Sequence, residues 1–132
     1  MKMCYPIVLS EFDDKSGYLV YVPDFDINTS GNNLTDAIDM ARDAISLMVV
    51  DMEDDGRELP AASEISSLKT ENSSDIVTLV DADIDAYRRM LDNRAVRKNC
   101  TIPSWLNEMA EQANINFSAV LQEALKQRLQ IN

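Results

Sequence analysis

The chain has 132 residues, 45% of them apolar and 27% charged, with a net charge of −11 and no histidine. This is globular composition without the roughly eighteen consecutive uncharged apolar residues of a membrane span, so a chain with no membrane partner is expected. Lack of histidine removes the commonest general base and zinc ligand together, which excludes hydrolase triads built on that residue.

Cys4 and Cys100 lie far apart, without metal-ligand spacing, and read as reduced packing residues. Residues 5–12 are apolar but run straight into Asp13, Asp14 and Lys15 with no small-residue cleavage site, so no secretory signal and a cytoplasmic location are expected. The charge is unevenly placed. Residues 94–132 hold five basic and three acidic side chains, a net of +2, whereas residues 1–93 hold seven basic and twenty acidic, a net of −13. Opposite signs imply different partners for the two parts, a cationic one in front and an anionic one behind.

In chain order, residues 4–12 are rich in β-formers and end at the turn composition Asp13-Asp14-Lys15-Ser16-Gly17, with residues 18–22 as the return strand of a hairpin. Pro23-Asp24 stops that strand, and residues 26–29 form a short third one before Ser30-Gly31-Asn32-Asn33. From Leu34 the period changes. Leu34, Ala37, Ile38, Ala41, Ile45, Met48, Val49 and Met52 recur at helical spacing, which predicts a long amphipathic helix fading at Asp54-Asp55-Gly56. Residues 58–75, with Pro60 and five serines, read as a loop; residues 76–80 as a fourth strand; and residues 83–91 as a short helix. Asp92-Asn93 is the expected boundary between a domain at 1–92 and one at 93–132.

Residues 97–103, RKNCTIP, form a short strand stopped by a proline that suits the first turn of a helix. Leu106, Met109, Ala110 and Ala113 give that helix an apolar face, Asn114-Ile115 breaks it, and Asn116 caps a second helix through Phe117, Val120, Leu121, Ala124, Leu125 and Leu129. Alternation places Arg97, Asn99 and Thr101 on one side of the strand, with Lys98, Cys100 and Ile102 on the other, where Cys100 and Ile102 are expected in the core. A lone strand and two helices in about forty residues cannot complete a core, so a homodimer is expected, with pairing of the same strand from two copies. Trp105 is expected to pack at the helix start.

The strand, helix, helix order and the run TIPSWLNEMAEQANINFSAVLQEAL resemble the ribbon-helix-helix repressors and the C-terminal domain of HicB-type antitoxins. In front, the hairpin, Pro23-Asp24-Phe25, Thr29-Ser30-Gly31 and the helix containing Asp36-Ala37-Ile38 are similar to the HicB N-terminal domain. The resemblance implies an α+β chain: a small antiparallel sheet packed by one long helix, partial RNase H-like, followed by a ribbon-helix-helix module that dimerises. It also implies a HicA-like RNA-cleaving toxin and operator DNA as partners. Arg97, Asn99 and Thr101 would then read base edges in the major groove, where Arg forks onto guanine, Asn onto adenine, and Thr donates, accepts or meets a thymine methyl. Lys98 would turn to phosphate, and the free amides near Asn116, Phe117 and Ser118 would receive another. No catalytic residue, metal or cofactor is expected. Asp13/Asp14 and Asp24/Asp26 are acidic pairs of the kind that bind Mg²⁺, but the first sits in a turn where Asp is favoured for local hydrogen bonding. A stand-alone ribbon-helix-helix repressor whose front domain senses another protein or a small ligand remains open, as do a metal-dependent nuclease and association beyond a dimer.

Overall fold

The computed structural model describes residues 1–92 and 94–131. The chain divides into two compact units, Met1–Arg94 and Ala95–Asn132. The boundary expected at Asp92-Asn93 falls partly on Asn93, which lies outside the described residues.

The first unit contains strands β1 (Lys2–Glu11), β2 (Tyr18–Val22) and β3 (Ile27–Gly31), helix α1 (Leu34–Asp54), strand β4 (Ile76–Asp83) and helix α2 (Ile84–Leu91). All pairings are antiparallel, in the order β3-β2-β1-β4, so β1 is central although it comes first in the chain. The register sets Leu9 opposite Val20 and Tyr5 opposite Val80, which gathers Tyr5, Ile7, Leu9, Val20, Val22, Val80 and Ala82 on one face. These side chains are buried in one cluster with Ala37, Ala41, Ile45 and Val49 of α1 and Ile84 of α2. Each large side chain so buried is worth about 1.5–3 kcal/mol, and the unit completes its core without outside help.

Tyr5 anchors one end of this core. Its ring meets Phe25 edge-on at 4.8 Å between centroids, its hydroxyl donates to the Pro60 carbonyl at 2.8 Å, and burial pushes its phenol above the usual value. The Ser63 amide and hydroxyl both donate to the Asp24 carboxylate, so part of the 58–75 loop is fastened to the β2–β3 turn. That loop also contains a single 3-10 turn at Ile65–Ser67.

The helix ends follow local chemistry. Asn33 caps α1 by accepting from the Asp36 amide at 2.8 Å, and the Asp36 carboxylate accepts from the Asn32 amide at 2.8 Å, a reciprocal arrangement worth about 1 kcal/mol. At the other end Gly56 takes φ +70°, its amide donates to Glu53 O and the Arg57 amide to Met52 O, a Schellman closure. Asp83 caps α2 through the Ala86 amide, and that hydrogen bond holds its carboxyl below the usual value.

Several boundaries differ from the sequence reading. β4 runs to Asp83 rather than stopping at residue 80, because β1 begins at Lys2 and supplies a ladder partner out to that position. β3 starts at Ile27, since Asp26 adopts φ +52° in the preceding turn and accepts from the Tyr21 hydroxyl. Leu34, placed by periodicity on the buried stripe, is 41% exposed at the first helical position, while Ser46 is buried with its hydroxyl donating to Arg42 O.

Gly31 is where β3 passes closest to α1. A Cβ there would lie 2.3 Å from the Ala37 amide nitrogen and 2.5 Å from its Cα. Gly31→Ala must therefore push strand from helix, and is expected to cost about 3 kcal/mol in urea unfolding while Gly56→Asn changes stability far less. Lowered Asp83 also sets a pH direction: its stabilisation is complete above the unfolded carboxylate value and is lost as pH falls through the folded one. Asp83→Asn, which keeps the cap, is expected to flatten the loss of stability between pH 5 and pH 2 (both about), read as melting temperature against pH.

Candidate nucleic-acid interface

The second unit consists of an extended approach, Ala95 to Pro103, then α3 (Ser104–Gln112) and α4 (Phe117–Leu129). Pro103, at φ −57° and ψ 142°, occupies the N-cap position of α3, and its carbonyl accepts from the Asn107 amide at 3.1 Å. α3 closes as α1 does. Asn114 takes φ +54°, its amide donates to Glu111 O and the Ile115 amide to Ala110 O, so an asparagine fills the left-handed position that glycine fills at residue 56.

Asn116 then caps α4, its side-chain oxygen accepting from the Ala119 amide at 3.0 Å. With that amide engaged, helical geometry leaves the Phe117 and Ser118 N–H groups without an intrahelical acceptor, at the positive end of the helix dipole. The Ser118 hydroxyl accepts from the Gln122 amide group at 3.1 Å. Thus the three residues expected at a phosphate, Asn116, Phe117 and Ser118, are brought to one helix start. At the far end Gln130 takes φ +59° and Lys126 and Arg128 lie in the last turn, where cations favour the dipole.

Arg97, Lys98, Asn99 and Thr101 are all exposed on irregular backbone. The strand expected there has no ladder in the single chain, because nothing within the unit offers a second strand. Among the described residues Arg94 is paired with Asp92, at 3.0 Å from Nε to Oδ1, and that carboxylate holds the guanidinium above its usual value. Arg97 and Lys98 enter no ion pair among the described residues.

In the single chain the apolar side chains of this unit stand exposed. No residue of α3 or α4 is buried. Cys100 and Ile102, expected in a core, are exposed, and Trp105, expected to pack at the helix start, is 63% exposed. Met109, Val120, Leu125 and Leu129 are each more than half exposed. The periodicity located the apolar faces, and they stand exposed. The left-handed Asn114 was missed as a cap, and its signal is an asparagine followed by apolar Ile115 at the end of an apolar stripe.

The acidic pairs of the first unit are used locally: Asp14 accepts from the Ser16 amide, Asp24 from Ser63 and Asp26 from Tyr21. Among the described residues no group of three or more Cys, Asp or Glu is placed to hold a metal ion, and no helix is long and apolar enough to cross a membrane.

Residues 5–126 match the family described as HicB_like antitoxin of bacterial toxin-antitoxin system. An uncharacterised 14.9 kDa protein from the rep-hol intergenic region of Haemophilus phage HP1 is 34% identical over 113 residues, covering 83% of this chain and 80% of the phage protein. A chain of a toxin-antitoxin complex from Streptococcus pneumoniae shares the fold at a TM-score of 0.61 and 24% identity, over 97% of this chain and 99% of that one. The antitoxin HicB of Burkholderia pseudomallei aligns at a TM-score of 0.55 and 26% identity, over 97% of each chain. The α+β chain, with its four-stranded antiparallel sheet packed against helices, belongs to the HicB-like antitoxin family of bacterial toxin-antitoxin systems.

Proposed function

We propose that the unit Met1–Arg94 binds and neutralises a HicA-like, RNA-cleaving toxin, and that Ala95–Asn132 pairs with a second copy as a ribbon-helix-helix dimer that represses the operon encoding both. The observation that carries the second half is the lack of any buried residue in α3 and α4, beside an extended segment whose backbone has no ladder. Antiparallel pairing of residues 97–101 with the same residues of a second copy satisfies one edge of each strand and lets four helices share one core. Family membership supports the first half, as does the likeness to a chain of a toxin-antitoxin complex.

In that dimer Arg97, Asn99 and Thr101 of each copy face the major groove and read bases, and Lys98 turns to phosphate. The α4 start, at Asn116, Phe117 and Ser118, holds a backbone phosphate on its free amides, which positions the ribbon without reading sequence. The −13 charge of residues 1–93 favours encounter with a basic toxin and keeps that region off DNA.

Two expected outcomes test this reading. Purified full-length chain stops RNA cleavage by the HicA-like toxin at a fixed ratio of chains, and failure to do so removes the antitoxin half. In gel-shift titrations Arg97→Ala erodes discrimination between operator and random DNA, by about 1–3 kcal/mol per lost base contact, with two such contacts in a dimer. Lys98→Ala instead weakens binding to all sequences alike and flattens the salt dependence. A reversal of these two effects in variants that remain dimeric shifts the strand register by one residue and contradicts the ribbon assignment.

A further inference from the structure

The outward face of α1 combines aspartates with large exposed apolar side chains. On a helical wheel Asp36, Met40, Asp43, Leu47, Asp51 and Asp54 share one arc, away from the buried ridge of Ala37, Ala41, Ile45 and Val49. Met40 is 40% exposed and Leu47 53% exposed, one or two turns from aspartates on both sides. A merely solvated helix face is better served by Glu–Lys pairs four residues apart, and aspartate is among the weaker helix formers. Here four aspartates and two large apolar side chains occupy the arc, and no cation does. The helix has one basic residue, Arg42, and it points to the sheet edge, with Nε donating to Asp81 O at 2.9 Å and Nη2 to Asp81 Oδ1 at 3.3 Å. Asp51 and Asp54 are partnered from outside the helix by Arg57 and Arg88. Asp36 and Asp43 enter no ion pair among the described residues.

The sign of this face selects its occupant. Nucleic acid and anionic membranes are repelled, and a second copy laid on the same face sets aspartates against aspartates. A cationic protein with an apolar hollow flanked by Lys or Arg is what fits, with Leu47 and Met40 as anchors and the aspartates as rim. We infer that the outward face of α1, centred on Leu47, Met40 and Asp43, is the docking surface for the toxin; this rests on the antitoxin reading above.

The test titrates purified HicA-like toxin into the full-length chain by calorimetry, using wild type, Met40→Lys, Leu47→Lys, the double variant, and Leu79→Lys on β4 as an exposed apolar control. All substituted side chains are at least 40% exposed, so the melting temperature is expected to stay within a few degrees of wild type, and circular dichroism checks it. Each single α1 substitution is expected to weaken toxin binding roughly tenfold or more, and the double variant roughly a hundredfold, with Leu79→Lys within about threefold and operator binding unchanged. If wild type binds toxin and the folded double variant binds within about threefold of it, the surface lies elsewhere and the inference is overturned while the antitoxin reading stands. If wild type itself does not bind, the antitoxin reading falls and this inference falls with it.

Discussion

The apolar arcs of α3 and α4 have no cover within their own unit, and that single deficit organises the account of the C-terminal half. A helix in water gains little from propensity alone; most of its stability comes from burying one face. α4 is 13 residues long and α3 only 9, so both are short enough that an unburied apolar face leaves them marginal. Pro103, Asn114, Asn116 and Gln130 mark where each helix starts and stops, but the side-chain cap at Asn116 supplies only about 1 kcal/mol. In the dimer proposed above, the missing stabilisation comes from outside the chain. A symmetric second copy is the economical source, because the same pairing that closes the core also gives residues 97–101 the neighbour that a strand requires.

The N-terminal unit is under no such constraint. Its sheet and α1 close on one another so tightly that Gly31 admits no side chain, and the 58–75 loop is tied down at Tyr5 and Asp24. A unit that satisfies itself in this way leaves its surface free for specificity, and its surface is acidic. In the proposed repressor this separation has an electrostatic use. DNA affinity is dominated by phosphate contacts, so a −13 region on the same chain opposes binding unless the cations that count are local to the reading element. Arg97 and Lys98 are placed in that way, on the proposed ribbon itself and outside any ion pair among the described residues.

How much of this was legible in the sequence depended on where each signal resides. Elements defined by local chemistry came through: β2 at Tyr18–Val22, the start of α1 at Leu34, and the Asn116 cap of α4 all lie where turn residues, periodicity and cap preference place them. Edges defined by a distant partner did not. The last three residues of β4, Asp81, Ala82 and Asp83, lie beyond the apolar run of residues 76–80 but pair because Lys2, Met3 and Cys4 are opposite them. The positive φ at Asp26, which delays β3, is fixed by a turn and a tyrosine hydroxyl rather than by composition. The family resemblance was legible across nearly the whole chain, and residues 5–126 carry it. Cys100, Ile102 and Trp105 mark the remaining limit: apolar identity shows that a side chain seeks cover but not which molecule provides it. The same gap separates the amphipathic pattern of α1, plain in the sequence, from the exposed Met40 and Leu47 on its far side, which stand out only once the buried ridge is known.

The central claim, that the C-terminal unit is half of a shared core, is tested most directly by the mass of the intact chain in solution. Sedimentation equilibrium of the full-length protein over a range of micromolar concentrations is expected to return about twice the 14.8 kDa chain mass, or an even multiple of it. A mass of 14.8 kDa at every concentration, in a sample whose circular dichroism shows α3 and α4 folded, would contradict it.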